Sequence, residues 1–543
     1  MLKSYLRPFL CCLRETVPFD SNCYHTAAES VHTQKLSNPL RLCCLLLTFL
    51  SFSLTAVPID NWRIPYYRVS SEMGLAHTSP SAMFWDHISY GELFDPLIWP
   101  NRPQEPTHYW SVEPALTAGT RSSEDGDVQL AFGNFKFVND IRFGNLFMRQ
   151  TLDVDSRYAD DNLYPAHTGR FAQGRIEEAY IQYEYSNGFL RLGRIKRNWG
   201  PFPDRSMVLS SNPYSYDAFE WQLFSSFFEF RHLFAAFPYD RSYQDGGWEG
   251  IAGGKTNRYF AAHSLNFMLG KWVTLGLTET VVFARESGVP DFAYINPVSV
   301  YTVINTNKES EANLMLGFQW SVRPGTENIE WRGQLAVDDF QIDNAERTGV
   351  ESDNEPNHWG IQTALYFRDL LPLQTPHLLK AEYTKASQWL YTVDDMNTRK
   401  GERYTYLGRS LGYPDNDFEK AAVQFAVIGQ NYWTAAVEAS YSRKGERNLF
   451  SKWKDSELDH IARGLPFNYQ DSNFPSGEHV EKTIGFSTEI SAYFRNLANC
   501  KLTLNNRWIK NRNNNPTARY EYVPRIHFEV SMHYSDWYYP FKR

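Results

Sequence analysis

The amino-acid sequence predicts an all-β fold: a large antiparallel transmembrane β-barrel of the outer membrane with about 16 to 18 strands. Three observations predict it. Aromatic residues make up 16% of a chain whose mean hydropathy is only −0.49, as expected where aromatic girdles border polar loops and a polar lumen. Segments of alternating apolar and polar residues, joined by short turns, recur along most of the chain. The last of these segments is followed by aromatic residues, as is typical of the closing strand of such barrels.

Residues 1–56 are predicted to be an export signal. The apolar run 42–54 is too short to cross a bilayer as a helix, but it suits the h-region of a signal peptide, and Lys35 and Arg41 precede it. We expect cleavage near Ala56 and interpret the residues before Lys35 as an over-long start. Five of the six cysteines lie in this signal, which leaves Cys500 alone in the rest of the chain. A disulfide framework and a cysteine zinc site are therefore both excluded there.

Residues 57–121 are expected to form an N-terminal periplasmic or plug-like segment. The stretch MFWDHISYGELFDPLIWPNRPQEP combines a short helix-like sequence pattern with several prolines. Minor helical elements are therefore expected in this part of the chain. Residues 122–543 are expected to form the barrel.

The stretch AYIQYEYSNGFLRLGRI shows the predicted strand pattern most clearly. Ile181 and Tyr183 fall on one face, Gln182 and Glu184 fall on the other, and an Asn–Gly turn follows. The alternation alone fits a soluble sandwich with a polar outside as well as a membrane barrel with a polar lumen. The export signal, the excess of aromatic rings and the large number of hairpins favour the barrel.

The same alternation recurs towards the C-terminus. Further copies lie in the segments 265–283, 313–337, 359–367, 379–384, 421–441, 483–494 and 502–509. In the final segment, RIHFEVSMHYSDWYYPFKR, Ile526 and Phe528 share one face, whereas His527 and Glu529 share the other. This segment is predicted to be the strand that closes the barrel.

The stretch LGRIKRNWGPFPD leaves a predicted strand and enters a cluster of basic and aromatic residues. Arg194, Arg197 and Trp199 are expected at the barrel rim, where guanidinium groups bind carboxylates and an indole face stacks under a pyranose ring. The alternative is that these residues only anchor the strand at the membrane interface.

An ordered set of motifs resembles the capsule assembly Wzi family. The set comprises GRIKRNWGP followed by LSSNPYSYDAFEW, YFAAHSLNF with His263, LTETVVFA with Glu279, YINPVSVY, NLMLGFQW, QLAVDDFQID and SLGYPDND. It covers residues 177–417, and more weakly the rest of the chain to the C-terminus. The resemblance implies an eighteen-stranded outer-membrane barrel with periplasmic helical elements, which acts as a surface lectin and ties nascent capsule to the cell.

On this basis the protein is expected to bind capsular or exopolysaccharide and to assist capsule assembly or attachment, without enzymatic activity. The candidate polysaccharide-binding residues are Arg194, Arg197, Asn198, Trp199, Asp338 and Asp339. The residues expected to shape turns are Gly193, Gly200, Pro201, Asn296 and Pro297. Outer-membrane lipids and the barrel assembly machinery are the other expected partners.

Two other functions remain open at the level of sequence. A porin-like channel would select solutes with the charged residues Glu330, Arg332 and Glu382 in its lumen. A hydrolase would use Ser410, because GRSLG satisfies the nucleophile-elbow pattern, although the strand–turn–helix context that the elbow needs is missing.

Metal and nucleic-acid functions find no support in the sequence. The acidic runs 122–127 and 153–162 lack the spacing of a calcium loop, and the histidines form no metalloprotease pair. The formal net charge of −8 disfavours nucleic-acid binding. No cofactor, metal or catalytic residue is expected.

Overall fold

The computed structural model describes residues 108–126, 128–164, 173–203, 205–237, 242–244, 247–249, 257–285, 288–307, 312–326, 328–339, 358–393, 402–429, 433–451, 474–494, 498–534 and 536–538. All of them belong to the compact unit Val57–Arg543. The expected export signal, and residues 57–107 of the expected periplasmic segment, lie outside the described residues.

The described residues are mostly in strands. In chain order these are β1 (His108–Ser122), β2 (Gln129–Phe143), β3 (Leu146–Asp155), β4 (Gln173–Tyr185), β5 (Gly188–Ile195), β6 (Tyr216–Phe224), β7 (Phe228–Phe237), β8 (Ser242–Gln244), β9 (Gly247–Glu249), β10 (Asn257–Leu269), β11 (Val273–Arg285), β12 (Asn313–Val322), β13 (Ile329–Asp339), β14 (His358–Arg368), β15 (His377–Ala386), β16 (Thr405–Tyr406), β17 (Arg409–Ser410), β18 (Phe418–Gly429), β19 (Trp433–Lys444), β20 (Glu481–Phe494), β21 (Ala498–Lys510), β22 (Glu521–His533) and β23 (Asp536–Tyr538).

The strands close into one antiparallel barrel. Apart from the two short hairpins β8–β9 and β16–β17, each strand pairs with its neighbour in sequence, and β1 pairs with β2 on one side and with β22 and β23 on the other. Because β22 and β23 are two parts of one closing strand, the barrel has eighteen strands. The predicted fold class is confirmed. The first strand already begins at His108, within the segment expected to precede the barrel, so the expected barrel start at residue 122 is too late.

The apolar face of the strands points outwards, as the alternation predicts. In β5 the side chain of Leu192 is 64% exposed, whereas the neighbouring Arg191 is 1% exposed and lies in the lumen. In the closing strand Ile526 and Phe528 are exposed on the outside, and His527 bonds Glu529 at 3.1 Å on the lumen side. The barrel thus presents an apolar outer wall to lipid and polar side chains to its interior.

The two ends of the barrel differ in the length of their connections. At one end residues 144–145 and 186–187 are two-residue turns, whereas at the other end the connections 196–215 and 387–417 are long. Outer-membrane barrels have short periplasmic turns and longer extracellular loops, so the long connections mark the extracellular end.

The described residues contain two short α-helices, both in the connection between β11 and β12. They are α1 (Phe292–Ile295) and α2 (Tyr301–Thr306), and single 3-10 turns lie at Ser156–Asp160 and Arg512–Asn514. No described helix has the length and apolar character needed to cross a membrane.

Candidate functional site in the lumen and at the mouth

The connection 196–215, here named the first inner segment, folds into the lumen. Trp199 and Leu209 form an antiparallel bridge, with the Trp199 amide donating to the Leu209 carbonyl at 2.8 Å, so the chain enters the barrel and returns as a hairpin. Met207, Val208 and both bridge residues are fully buried. The apolar side chains of this segment therefore form a core inside the barrel, where the sequence predicted a rim.

The described parts of the connection 387–417, here named the second inner segment, pack against the first. The Ser210 amide donates to the Leu411 carbonyl at 2.7 Å, and the Tyr404 hydroxyl donates to the Val208 carbonyl at 2.8 Å. The Tyr391 hydroxyl donates to the Met207 carbonyl. Burial raises the pKa of the Tyr391 phenol well above its ordinary value, so this hydroxyl keeps its proton and its role as donor.

Tyr391→Phe is expected to lower the free energy of unfolding by about 2 kcal/mol, because a buried amide of Tyr413 and a buried carbonyl of Met207 both lose their partner. Urea titration, read from the folded band on unheated gels, measures the change. Tyr383→Phe is the matched control, because its half-exposed hydroxyl bonds Glu419 at 3.2 Å and the change should stay within about 0.5 kcal/mol. Equal losses in both variants would contradict the buried role of Tyr391.

Gln334 on β13 attaches the first inner segment to the barrel wall. Its side-chain oxygen accepts from the Met207 amide at 2.7 Å, and its side-chain nitrogen donates to the Trp199 carbonyl at 3.3 Å and to Gln319 at 3.0 Å. The wall thus supplies hydrogen bonds to backbone groups that the segment would otherwise bury without partners.

Two buried ion-pair networks line the same wall. In the first, Glu220 on β6 bonds Arg191 at 3.1 Å and Arg197 of the first inner segment at 3.3 Å, and all three side chains are fully buried. Arg197 also donates to the carbonyls of Ile195 and Tyr216. Barrel wall and inner segment are thereby joined by charge as well as by apolar packing.

The second network involves residues that the channel hypothesis placed in an open lumen. Glu330 pairs with Arg332 at 2.7 Å and with Arg368 at 2.5 Å, and Arg332 also donates to the Pro201 carbonyl at 3.3 Å. Their carboxylate and guanidinium groups are buried against the inner segment. The third candidate, Glu382, pairs with Lys380 at 2.9 Å and stays partly exposed.

The structure places the predicted sugar-binding cluster mostly inside this core. Trp199 and Arg197 are buried as described, and Asn198 donates to the Phe202 carbonyl while accepting from the Ser206 amide at 3.1 Å. A sugar ring has no access to a buried indole face, so these side chains hold the inner segment in place. Arg194 differs, because it lies on the outer wall near the extracellular end and pairs with Asp217 at 2.5 Å.

The predicted aspartates lie apart from this cluster. Asp338, nearly buried at the end of β13, accepts from the Tyr391 amide at 3.1 Å. Tyr391 has a backbone φ of 72°, a left-handed conformation that costs a non-glycine residue free energy, so Asp338 helps to hold the turn of the second inner segment. Asp339 stands opposite His358 in the register of β13 and β14, after a β-bulge, and its side chain lies outside the described residues.

The residues expected to shape turns have different positions. Gly193, with a φ of 135°, lies inside β5, where an added Cβ would meet the Ala179 carbonyl oxygen at 2.2 Å. Gly200 and Pro201 do lie where the chain bends into the lumen, and a Cβ at Gly200 would meet Ser206 Oγ at 2.6 Å. Asn296 and Pro297 follow α1, and the Asn296 side chain accepts from the Val298 amide at 3.2 Å.

Ser410 has no nucleophile geometry. It lies on the short strand β17, is fully buried, and its hydroxyl accepts from the Gly412 amide at 3.1 Å. An elbow serine must present its hydroxyl at the tip of a strand-to-helix turn. Among the described residues no group of three or more His, Cys, Asp or Glu side chains is placed to hold a metal ion.

Sequence reasoning missed a cluster of aromatic and charged side chains at the extracellular end. Tyr158 and Tyr164 stack with ring centroids 4.8 Å apart, and the guanidinium groups of Arg175 and Arg409 lie 4.3 and 4.9 Å from the Tyr214 ring centre. We name as the mouth cluster the residues Tyr158, Asp161, Tyr164, Arg175, Tyr214 and Arg409.

The mouth cluster joins three connections of the chain. Asp161 accepts from the Tyr214 hydroxyl and pairs with Arg409 at 2.6 Å. Burial and the neighbouring carboxylate raise the pKa of Tyr214, so its hydroxyl remains a donor. Beside it the half-exposed Lys196 pairs with Glu177 at 3.1 Å. Tyrosine occurs in each of these connections, but their meeting depends on how three separate loops fold, which no local sequence pattern reveals.

The inner segments do not cover the whole wall. On the strands from β18 to β3, several described side chains that point into the lumen are polar and partly exposed, whereas others, such as Phe132 and Phe147, are buried. Examples of the polar side chains are the pairs Lys420–Glu438 at 2.8 Å and Lys501–Glu489 at 2.9 Å. The described lumen therefore has one packed wall and one less packed wall with partly exposed ion pairs, here named the hydrated wall.

Among solved structures, the fold is similar to that of Wzi from Escherichia coli, described as an outer-membrane protein involved in group 1 capsule assembly and a carbohydrate-binding β-barrel. The match has a TM-score of 0.52 and 11% sequence identity, and it covers 88% of this chain and 98% of Wzi. At this identity the likeness establishes the fold, an outer-membrane barrel.

Two other barrels match less well. OpdK of Pseudomonas aeruginosa has a TM-score of 0.43 at 10% identity, covering 79% of this chain and 99% of OpdK. OccAB4 of Acinetobacter baumannii has a TM-score of 0.43 at 8% identity, covering 80% of this chain and 99% of OccAB4. Neither a protein-family model nor a curated protein sequence matches the chain.

Proposed function

We propose that this protein is a non-enzymatic barrel of the outer membrane that binds capsular or other surface polysaccharide at its extracellular mouth, and so assists capsule assembly or attachment. The mouth cluster is the observation that carries the proposal. It combines the partly exposed ring of Tyr158, which stacks on the buried Tyr164, with guanidinium and carboxylate groups, and the ammonium group of Lys196 lies beside it. Exposed aromatic rings and such charged groups bind sugar rings and their hydroxyl and carboxylate substituents.

The packed lumen supports the same function. Because the two inner segments hold the lumen side of the mouth rigid, the mouth cluster rests on a fixed base and loses little conformational entropy when a ligand binds. In this view the buried Arg197, Asn198 and Trp199 position the site, and sugar contact belongs to the partly exposed side chains around Tyr158, Lys196 and Arg409. The Wzi barrel, whose description includes carbohydrate binding, is consistent with this function.

Other parts of the proposal concern the cell. The protein would be exported by a signal in residues 1–56, inserted by the barrel assembly machinery and held among outer-membrane lipids. In this position its extracellular mouth would face the capsule layer. Membership of the capsule assembly Wzi family is part of this proposal, and it rests on the ordered sequence motifs together with the shared fold.

The double variant Tyr158→Ala/Lys196→Ala is expected to weaken binding of the host's own surface polysaccharide at least about tenfold, a loss of about 1.4 kcal/mol in binding free energy. Both side chains are partly exposed, so the barrel should fold normally. Binding to the purified, detergent-folded protein is measured by calorimetry.

Lys271→Ala is the matched control, because it removes an exposed lysine from a short turn at the opposite end of the barrel. It should bind like the unchanged protein. If neither the unchanged protein nor the control binds polysaccharide saturably, the proposed function is refuted.

Solute passage is a second candidate function, favoured by the hydrated wall from β18 to β3. Ion pairs such as Lys420–Glu438 line it with both signs of charge, as in pores that pass polar solutes. A conductance test of this candidate is described in the Discussion.

A further inference from the structure

Three polar side chains form a row on the outside of the barrel. His232 on β7, His263 on β10 and Glu279 on β11 stand directly opposite one another in the strand register. His263 Nε2 and Glu279 Oε2 are 2.9 Å apart. Two of these residues, His263 and Glu279, belong to the sequence motifs noted above, and the fold brings them into contact.

The row points away from the lumen. On the same strands Thr278 and Ser264 bond each other on the lumen side at 2.8 Å, and Thr280 bonds Tyr404 of the second inner segment. The alternate residues must therefore face outwards, as Leu277 does with 61% of its surface exposed. Charged side chains on the lipid face of a barrel are destabilising, by about 2–4 kcal/mol for Arg or Lys at the midplane and less for Asp or Glu.

Residues 288–307, which contain α1 and α2, cover this row from outside. Glu279 accepts hydrogen bonds from the Tyr301 amide at 3.0 Å and from the Thr302 hydroxyl at 2.6 Å. The Tyr301 ring lies 4.4 Å from the His263 ring, and the Tyr259 hydroxyl donates to the Gly288 carbonyl at 2.7 Å. We name residues 288–307 the outer clasp, because this extracellular connection runs down the outer wall and is hydrogen-bonded to it.

Packing fixes the outer clasp as firmly as the hydrogen bonds do. Tyr294 and Tyr301 are fully buried against the outward-facing Tyr259 and Phe283, with the rings of Phe283 and Tyr294 4.9 Å apart. The inner side of the clasp is thus a compact aromatic layer, and its position on the wall is part of the folded structure.

The opposite side of the outer clasp is apolar and exposed. Val298 is 79% exposed and Phe292 is 74% exposed, and Val289, Val300 and Val303 are each more than half exposed. Asp291 is the one charged residue in the sequence of this segment, and it pairs with Arg285 at 3.4 Å. Such a surface suits neither water nor a polysaccharide, because both require hydrogen-bonding groups.

We propose that the outer clasp is inserted in the outer leaflet, with its exposed valines and Phe292 in contact with lipid acyl chains. The apolar surface of the clasp continues the lipid-facing band of the strands beneath it, where Leu277 and Phe267 are exposed. Burial of this surface in lipid gains free energy, and the clasp meanwhile keeps the His263–Glu279 pair out of the acyl layer. This inference is independent of polysaccharide binding.

The test uses nitroxide labels on single cysteines in the full chain, with the native cysteines replaced by alanine, reconstituted in vesicles. Val298→Cys samples the clasp, Leu277→Cys samples the lipid-facing wall, and Lys271→Cys samples a water-exposed turn. Collision rates with oxygen, which concentrates in lipid, and with a water-soluble nickel chelate are compared. We expect the oxygen-to-nickel ratio at Val298 to match that at Leu277 and to exceed that at Lys271 severalfold.

Two results would overturn the proposal. A ratio at Val298 like that at Lys271 would place the clasp in water. A label shielded from both reagents would mean that protein, such as a second copy of this chain, covers the surface. Because Val298 is the most exposed of these side chains and packs against nothing in the clasp core, Val298→Cys should fold, and a normal folded band on an unheated gel verifies this.

Discussion

Glu220→Ala is expected to be the most destabilising single substitution in the lumen, lowering the free energy of unfolding by about 3–5 kcal/mol. The change leaves the buried guanidinium groups of Arg191 and Arg197 without their shared carboxylate, with Arg231 nearby adding a third positive charge. Removing one partner of a buried ion pair costs far more than the pair contributes, because the remaining charge is left in a medium of low polarity. Urea titration of the detergent-folded barrel measures the loss.

Asp217→Asn is the matched control for this prediction. Asp217 lies three positions before Glu220 on the same strand and also pairs with an arginine of β5, but its side chain is 62% exposed on the outer wall. Exposed ion pairs contribute about 0–1 kcal/mol, so the control should unfold almost like the unchanged protein. Comparable losses in the two variants would show that the lumen network is hydrated and that the first inner segment is not held as described.

Replacing residues 200–208 by a two-residue Gly–Ser turn is expected to raise the single-channel conductance severalfold. The replacement removes the part of the first inner segment that fills the lumen, including Met207 and Val208. Because Trp199 and Leu209 are bridged, a two-residue turn joins them without stretching the chain. An eighteen-stranded barrel has room for an aqueous channel once its interior is cleared. Recordings in planar bilayers measure the change.

A shortening of the largely exposed connection 515–520 is the control, because it lies between two strands at the same end without packing in the lumen core. It should leave the conductance unchanged. If replacing residues 200–208 leaves the conductance unchanged while the barrel remains folded, the first inner segment does not obstruct the pore. A large conductance in the unchanged protein would instead favour solute passage along the hydrated wall as the main function.

Much of the barrel wall was predictable because strand side chains alternate with a period of two. In AYIQYEY this alternation places Ile181 outwards and Gln182 inwards without reference to any other part of the chain, and the structure agrees. The start of the barrel was less predictable. In β1 the alternation of apolar and polar residues is interrupted by Pro114 and Gly119. The sequence of the first strand therefore resembled that of the segment before it.

The candidate site was predicted only in part. The sequence placed Trp199 and Arg197 in a rim cluster that binds polysaccharide, but it did not reveal their buried surroundings, because the partners that bury them lie outside the local sequence. The Glu220 carboxylate that pairs with Arg197 and the Gln334 amide that donates to the Trp199 carbonyl both come from strands of the barrel wall. A tryptophan in a rim loop and a tryptophan in a loop folded into the lumen have the same local sequence.

The sequence by itself determined the fold class, because alternation, turn residues and aromatic content follow from each strand's contact with lipid on one side and a polar interior on the other. Only the tertiary structure decided where the long connections go. The first inner segment enters the lumen and the outer clasp lies on the wall, although both are extracellular loops with apolar residues. The physical reason is that a loop folds against whichever surface offers partners for its backbone and its apolar side chains, and those partners are assembled only when the barrel closes.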